Sequence, residues 1–114
     1  PPPADSRLAN QPNGRFAERR LNDRVHDVLP LLAHVARDKG VPLQQLALAW
    51  VVQRPGVTSA ITGPRRVAQL DDAIASLQIR FTPDELERLD EIVPPGTHVS
   101  PFYEADFGVS QHRW

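Results

Sequence analysis

The apolar positions near the start of the chain form one helical stripe. Apolar residues recur at steps of three and four from Leu21 to Ala36, which predicts an amphipathic helix over residues 21–39 that Gly40 ends. Pro30 lies inside this helix. Because proline lacks an N–H and clashes with the carbonyl four residues earlier, we expect a kink or a restart of the helix just before it.

A second helix and a short strand are predicted next. Pro42 suits the first turn of a helix over residues 43–53, and the turn at Arg54-Pro55-Gly56 ends it. The run from Val57 to Ile61 is short, contains β-branched residues and lies between Pro-Gly and Gly-Pro, and we interpret it as a strand buried on both faces of a parallel sheet. A buried strand needs neighbours on both sides, so we expect the other strands to lie outside the residues given.

Two more helices complete the pattern. Residues 66–77 are predicted as a helix that packs on a sheet, since its apolar residues share one face: Val67, Leu70, Ile74 and Leu77. Thr82 and Glu85 have the spacing of a capping box, with Pro83 in the first turn, and they predict a helix over residues 83–93.

The link between the predicted strand and the third helix is the candidate binding region. A strand that ends at a glycine and leads directly into a helix turns backbone N–H groups and the positive end of the helix dipole outward, which favours an anion. Arg65 and Arg66 lie in this link, after Gly63. Because a guanidinium forms paired, charge-assisted hydrogen bonds with phosphate, we expect a ligand that carries phosphate. The Walker lysine pattern is missing, which argues against a nucleoside triphosphatase.

Composition narrows the function further. At 114 residues the chain is at most one domain, and its net charge of −1 provides no general attraction to nucleic acid or to an anionic membrane. It has no cysteine, no apolar run of membrane-spanning length and no apolar core near its start that would form a signal peptide. We therefore expect a cytoplasmic protein. Residues 1–20 are predicted as a loop anchored by Phe16, and the aromatic tail 94–114 as a packed irregular segment.

Catalytic and metal-binding residues are not expected in this stretch. Asp84 and Glu85 are explained by the start of a helix rather than by paired-carboxylate catalysis. The histidines lack the spacing of metal ligands, and this applies to His26, His34, His98 and His112.

An ordered set of motifs resembles the C-terminal third of the aldo-keto reductase family over residues 20–93. The motifs are Gly40-Val41-Pro42, Gln45 to Trp50, Pro55 to Gly63, Arg65, Gln69-Leu70 and Thr82 to Leu86. The resemblance implies an α/β fold, the (β/α)8 TIM barrel, of which the residues given are a mostly helical C-terminal fragment. Residues 1–20 would be the loop after strand seven, 57–61 strand eight, 66–77 helix eight and 83–93 an added helix, while 94–114 is the part that varies most in the family.

The same resemblance implies NADP as cofactor and assigns its adenosine end to the link and the third helix. The implied cofactor-binding residues are Gly63, Pro64, Arg65, Gln69, Asp72 and Ala73. Gly63 would allow close approach of the backbone, Arg65 would bind the 2′-phosphate, and Gln69 would touch the adenosine part. Ala73 departs from the family asparagine that faces adenine, which puts the adenine contact in doubt. Arg66 is less characteristic, because the family often has a small hydroxyl residue there.

The implied activity is reduction of a small aldehyde or ketone by hydride transfer. The family's catalytic tyrosine, lysine, aspartate and histidine come from earlier strands, so this piece is expected to be inactive alone. Tyr103 lies outside the family motif and is interpreted, with Phe102 and Phe107, as a wall of the substrate pocket. Two alternatives stay open: a non-catalytic binding or regulatory subunit, as in the potassium channel beta subunits, and a small helical interaction domain that only mimics the pattern.

Overall fold

The described part of the protein, residues 22–99 of a computed structural model, contains four helices. These are α1 (Asp23–Lys39), α2 (Leu43–Val52), α3 (Val67–Ser76) and α4 (Pro83–Ile92). The described residues divide into two compact units, residues 31–92 and residues 22–30 with 93–99. The predictions for the 1–20 loop, for Phe16 and for the tail from residue 100 onward lie outside the described residues. No helix in residues 22–99 is long and apolar enough to cross a bilayer.

The helix predictions are confirmed to within two residues at each end. Helix α1 continues through Pro30 without the restart that was one of the two expected outcomes. The missing N–H of Pro30 leaves the carbonyl of His26 without its helical partner. Both residues are exposed, so water can hydrate that carbonyl and the helix tolerates the loss.

The prediction of a strand at Val57–Ile61 is wrong for the described residues, where 57–64 form an irregular link between α2 and α3. The predicted burial on both faces is wrong as well, because Ile61 is 102% exposed. The physical reason is the one that limits every strand: its N–H and C=O groups need a neighbouring strand, and residues 22–99 supply none. The described residues are therefore helical, and only the predicted barrel as a whole would be α/β.

The core of the 31–92 unit forms where α1, α2 and α4 meet. Its buried centre consists of Val35, Ala36, Leu46 and Leu89. Partly buried side chains surround this centre: Leu32, Val41, Leu43, Trp50, Phe81 and Ile92. Burial of this apolar surface holds the three helices together without any contribution from the 57–64 link.

The ends of the helices follow their local sequence signals. Gly40 has φ +74°, and the N–H of Val41 bonds the carbonyl of Ala36, so α1 ends in the predicted glycine stop. The predicted capping box of α4 is also confirmed. The N–H of Thr82 donates to Oε2 of Glu85 at 2.9 Å, and the N–H of Glu85 donates to Oγ1 of Thr82 at 3.3 Å.

Asn22 caps the start of α1, in the unit formed by residues 22–30 and 93–99. Its Oδ1 accepts from the N–H of Val25 at 2.9 Å, and its Nδ2 donates to the carbonyl of Val99 at 3.0 Å. Arg24 donates to the carbonyl of His98 beside it. Residues 93–99 are thus tied to the first turn of α1 through polar contacts with the backbone.

Candidate anion-binding site

The segment immediately before α3 and the first turn of that helix are fully open to solvent. Residues 61–70 are all exposed, which includes Gly63, Pro64, Arg65 and Arg66. A side chain built at Gly63 would meet no atom within 4 Å, and its φ lies outside the left-handed region. Within the described residues, therefore, nothing requires a glycine at this position. The close approach that the sequence predicted at Gly63 concerns a ligand and stays a prediction.

A short hydrogen-bonded arrangement joins the arginines to α3. Oε1 of Gln69 accepts from the N–H of Arg65 at 2.7 Å and from the N–H of Arg66 at 3.2 Å. The N–H of Gln69 bonds the carbonyl of Arg66 in return, at 3.1 Å. The segment before the helix is thereby fixed to the first turn of α3.

The first turn of α3 has hydrogen-bond donors that are available to a ligand. Within the described residues no oxygen accepts a hydrogen bond from the N–H of Val67 or Ala68, and none accepts from the guanidinium of Arg65. Free N–H groups at a helix start, together with the dipole and a nearby cation, favour an anion. The predicted residues Arg65 and Gln69 are thus brought together at one helix end.

Asp72 is held by α2. Its Oδ1 accepts from Nε2 of Gln45 at 2.7 Å, and its Oδ2 accepts from Nε2 of Gln44 at 3.4 Å. Residues 69, 72 and 73 share one face of α3, because they are spaced three and four apart. The carboxylate of Asp72 is consequently oriented by its neighbours, while Ala73 has no polar side-chain atom to offer.

Gln44 and Gln45 are site residues that the sequence reasoning missed as partners of Asp72. The amphipathic pattern of α2 shows which residues turn away from the core, but it does not show which of them face α3. The register of two helices depends on their packing, so the signal is not local.

An open cavity of about 500 Å³ lies between α2, the second half of α3 and the 57–64 link. Its lining includes apolar side chains, those of Leu48, Val52, Ile74 and Leu77, and the hydroxyl side chains of residues 58, 59 and 62. Ala73 also lines this cavity. The cavity therefore adjoins the second half of α3 rather than its anion-binding start.

The apolar face of α3 is exposed over its whole length. The exposed fraction is 75% at Val67, 46% at Leu70, 56% at Ile74 and 52% at Leu77. The sequence predicted this face as the one that packs on a sheet. In the described residues no sheet covers it, for the same reason that residues 57–61 are not a strand.

No group of three or more potential ligands for a metal ion is found among the side chains of residues 22–99. His34 lies on α1 with its Nδ1 3.5 Å from Asp38, and Arg88 pairs with the same carboxylate at 3.0 Å. All three side chains are exposed, since 44–60% of each is open to solvent. They therefore form a hydrated surface cluster.

Comparison with known proteins gives one family. The family model described as "Aldo/keto reductase family" matches residues 3–94. A probable voltage-gated potassium channel subunit beta of Arabidopsis thaliana is 33% identical over 93 residues, which are 80% of this chain and 28% of that protein. The L-glyceraldehyde 3-phosphate reductase of Escherichia coli O157:H7 is 29% identical over 97 residues, 82% of this chain and 28% of that protein.

A further relative is an uncharacterized oxidoreductase of Bacillus subtilis. It is 34% identical over 76 residues, which cover 66% of this chain and 23% of the relative. The chain thus spans about a quarter of the length of these relatives. The family match over residues 3–94 includes α1 to α4 and the whole candidate site.

Proposed function

Because this chain belongs to the aldo/keto reductase family, we propose that it is the C-terminal part of an NADP-dependent reductase that converts aldehydes or ketones to alcohols. The relatives named as reductases and oxidoreductases support the class of reaction. The cofactor supplies the hydride, and the residues of this chain hold and orient its adenosine end. No catalytic residue is assigned to this chain.

The observation that carries the proposal is the arrangement of donors at the start of α3. The guanidinium of Arg65 and the N–H groups of Val67 and Ala68 have no acceptor within the described residues. A 2′-phosphate would bring several strong acceptor oxygens and a negative charge to this point. NADH lacks that phosphate, so the same donors would select NADPH.

The remaining contacts follow from the neighbouring turn of α3. Asp72 would meet the adenosine with polar atoms, and the backbone at Gly63-Pro64 would pass close to the cofactor. Ala73 would contribute an apolar contact only. We therefore propose that adenine is held less by side-chain hydrogen bonds at residue 73 than the family pattern implies.

The other strands of the barrel would provide the neighbours that residues 57–61 and α3 need. We propose that Val57–Ile61 pairs as the eighth strand in the complete protein, with α3 packed against the sheet. This pairing would cover the exposed apolar face of α3 and would satisfy the backbone groups of the link. The complete protein would act in the cytoplasm on a small carbonyl substrate, with the tail residues Phe102, Tyr103 and Phe107 along the pocket.

The test is an assay of the full-length protein with NADPH and a panel of aldehydes and ketones, following NADPH oxidation by its absorbance. We expect turnover with NADPH that greatly exceeds turnover with NADH. Residues 1–114 alone, at the same concentration, should give none. If the full-length protein binds neither cofactor, the proposal is wrong.

A second function is favoured by a specific observation. Two relatives, from Arabidopsis thaliana and from Oryza sativa subsp. japonica, are named as probable potassium channel beta subunits, and each is 33% identical over 93 residues. The alternative is therefore a binding or regulatory subunit with the same cofactor site. The assay separates the two functions, because such a subunit would bind NADPH tightly and leave it unoxidised with every carbonyl compound of the panel.

A further inference from the structure

We propose that Gln69 is a positioning residue, whose side-chain carbonyl fixes the backbone of Arg65 and Arg66 so that the Arg65 guanidinium is presented to an anion. The inference rests on the proposed function, since the anion it serves is the phosphate of the cofactor. It differs from the role that the sequence predicted for Gln69, which was a direct contact with the adenosine. The positioning role requires the side-chain carbonyl of Gln69 to bind the backbone of residues 65 and 66, whereas the predicted role requires the side chain to reach the adenosine.

The geometry assigns the atoms without ambiguity. Backbone N–H groups can only donate, so the side-chain atom that faces Arg65 and Arg66 at 2.7 and 3.2 Å is the oxygen of the amide. A carbonyl oxygen has two lone pairs, and both are used by these bonds. Only Nε2 of Gln69 is left to meet a ligand directly.

The hydrogen bonds between Gln69 and the backbone of Arg65 and Arg66 form a closed ring at the start of α3, which we call the clasp. Arg66 is the N-cap of α3 with an extended backbone, φ −135° and ψ 149°. Gln69 is the third residue of the helix. Its N–H donates to the carbonyl of Arg66, and its side-chain oxygen accepts from the N–H of Arg66. This is the second half of a capping box, extended by one residue to the N–H of Arg65.

The clasp also decides which donors an anion can use. The N–H groups of Arg65 and Arg66 are taken by Gln69, whereas those of Val67 and Ala68 are not. An exposed link of this kind would otherwise sample many backbone conformations, and each would direct the guanidinium elsewhere. Gln69 thus favours binding through Arg65 by ordering the backbone that carries it.

The first test needs no cofactor. Hydrogen exchange of the Arg65 and Arg66 amides is measured by NMR in the full-length protein, with Gln69→Ala, Gln69→Glu and the exposed control Gln78→Ala. A net hydrogen bond contributes about 0.5–1.5 kcal/mol, so Gln69→Ala should exchange these amides about 2- to 13-fold faster. Gln69→Glu keeps the acceptor and should preserve protection, as should Gln78→Ala. Unchanged exchange in Gln69→Ala overturns the inference.

The second test is a double-mutant cycle on NADPH affinity, with Arg65→Ala and Gln69→Ala alone and combined. We expect Gln69→Ala to weaken binding about 3- to 10-fold in the native background. In the Arg65→Ala background it should change affinity less than about twofold, because Gln69 then has no guanidinium to position. Additive losses would show a direct contact with the adenosine and overturn the inference. A native protein that binds no NADPH would refute the proposed function, while the exchange experiment would still test the clasp.

Discussion

The ion pair between Lys39 and Glu85 connects the end of α1 to the start of α4, and its removal allows a quantitative prediction. Nζ of Lys39 lies 2.9 Å from Oε1 and 2.7 Å from Oε2 of Glu85, and also 5.3 Å from the centre of the Phe81 ring. The two charged side chains are only 14% and 23% exposed. The perturbation is Glu85→Gln, which removes the charge but keeps an oxygen for the N–H of Thr82.

The expected magnitude follows from this geometry. A hydrogen bond to a charged group contributes about 1.5–3 kcal/mol, and partial exposure places this pair at the lower end. Glu85→Gln should therefore destabilise the packing of α4 by about 1–2 kcal/mol. Glu85→Ala also removes half of the capping box and should add about 0.5–1 kcal/mol to that loss.

The assay is native-state hydrogen exchange of the α4 amides in the full-length protein, because it reports local free energies of opening. Glu85→Gln should speed exchange about 5- to 30-fold, which corresponds to about 1–2 kcal/mol. The pair between Asp38 and Arg88 is the matched control, since it joins the same two helices at 3.0 Å but both side chains are 44% exposed. Arg88→Gln should cost at most about 0.5 kcal/mol. Equal effects of the two substitutions would refute the reasoning from burial.

Three further predictions concern pH, the isolated chain and the contact between α2 and α3. The hydrogen bond from Lys39, and then that from the Thr82 N–H, lower the pKa of Glu85 when the protein is folded. The stability that these bonds contribute is therefore present above the ordinary glutamate pKa and is lost as pH falls below about 4.3. After correction for the intrinsic exchange rate at each pH, hydrogen exchange of the α4 amides should become faster below that pH in the native protein. It should show no such rise in Glu85→Gln. Residues 1–114 alone should melt without a sharp cooperative transition by circular dichroism, because residues 22–99 supply no sheet for the α3 face and no neighbouring strand for residues 57–61; a sharp melt would contradict this. Gln45→Leu should weaken α3 protection about 2- to 13-fold through Asp72, and an unchanged α3 would contradict the bond.

The parts of the fold that were predictable from the sequence are those that depend on nearby residues. The Thr82–Glu85 capping box and the Gly40 stop were read correctly, since each needs only a turn of helix to form. The apolar spacing indicated the helices, and the glycine, proline and capping signals predicted their bounds to within two residues. Asn22 was missed as a cap, although its residue type and place before α1 are a usual start signal.

The parts that could not be predicted depend on distant partners. The run Val57–Ile61 has the β-branched residues and the flanking turn residues of a strand, but residues 22–99 hold no second strand to pair with it. The contacts of Lys39 with Glu85 and of Gln45 with Asp72 span 46 and 27 positions in the chain. Their formation depends on how the helices pack, which the local pattern does not specify.

The sequence predicted the location of the candidate site, but it did not predict the hydrogen bonds within the site. The sequence pointed to the Arg65–Gln69 segment, and the structure brings these residues together at the first turn of α3. The acceptor role of Gln69 toward two backbone N–H groups was not foreseen, because an exposed glutamine in a helix has many alternatives.

The measurement that tests the central claim most directly is the affinity of the full-length protein for NADPH and for NADH, before and after Arg65→Ala. The exposed Arg37 on α1 provides the control Arg37→Ala, which makes the same change of charge at a helix outside the site. Loss of a charge-assisted contact should weaken NADPH binding by about 1.5–3 kcal/mol, or about 10- to 150-fold, while NADH binding and the control stay nearly unchanged. Equal losses for the two cofactors, or no loss for either, would contradict the assignment of Arg65 to a 2′-phosphate.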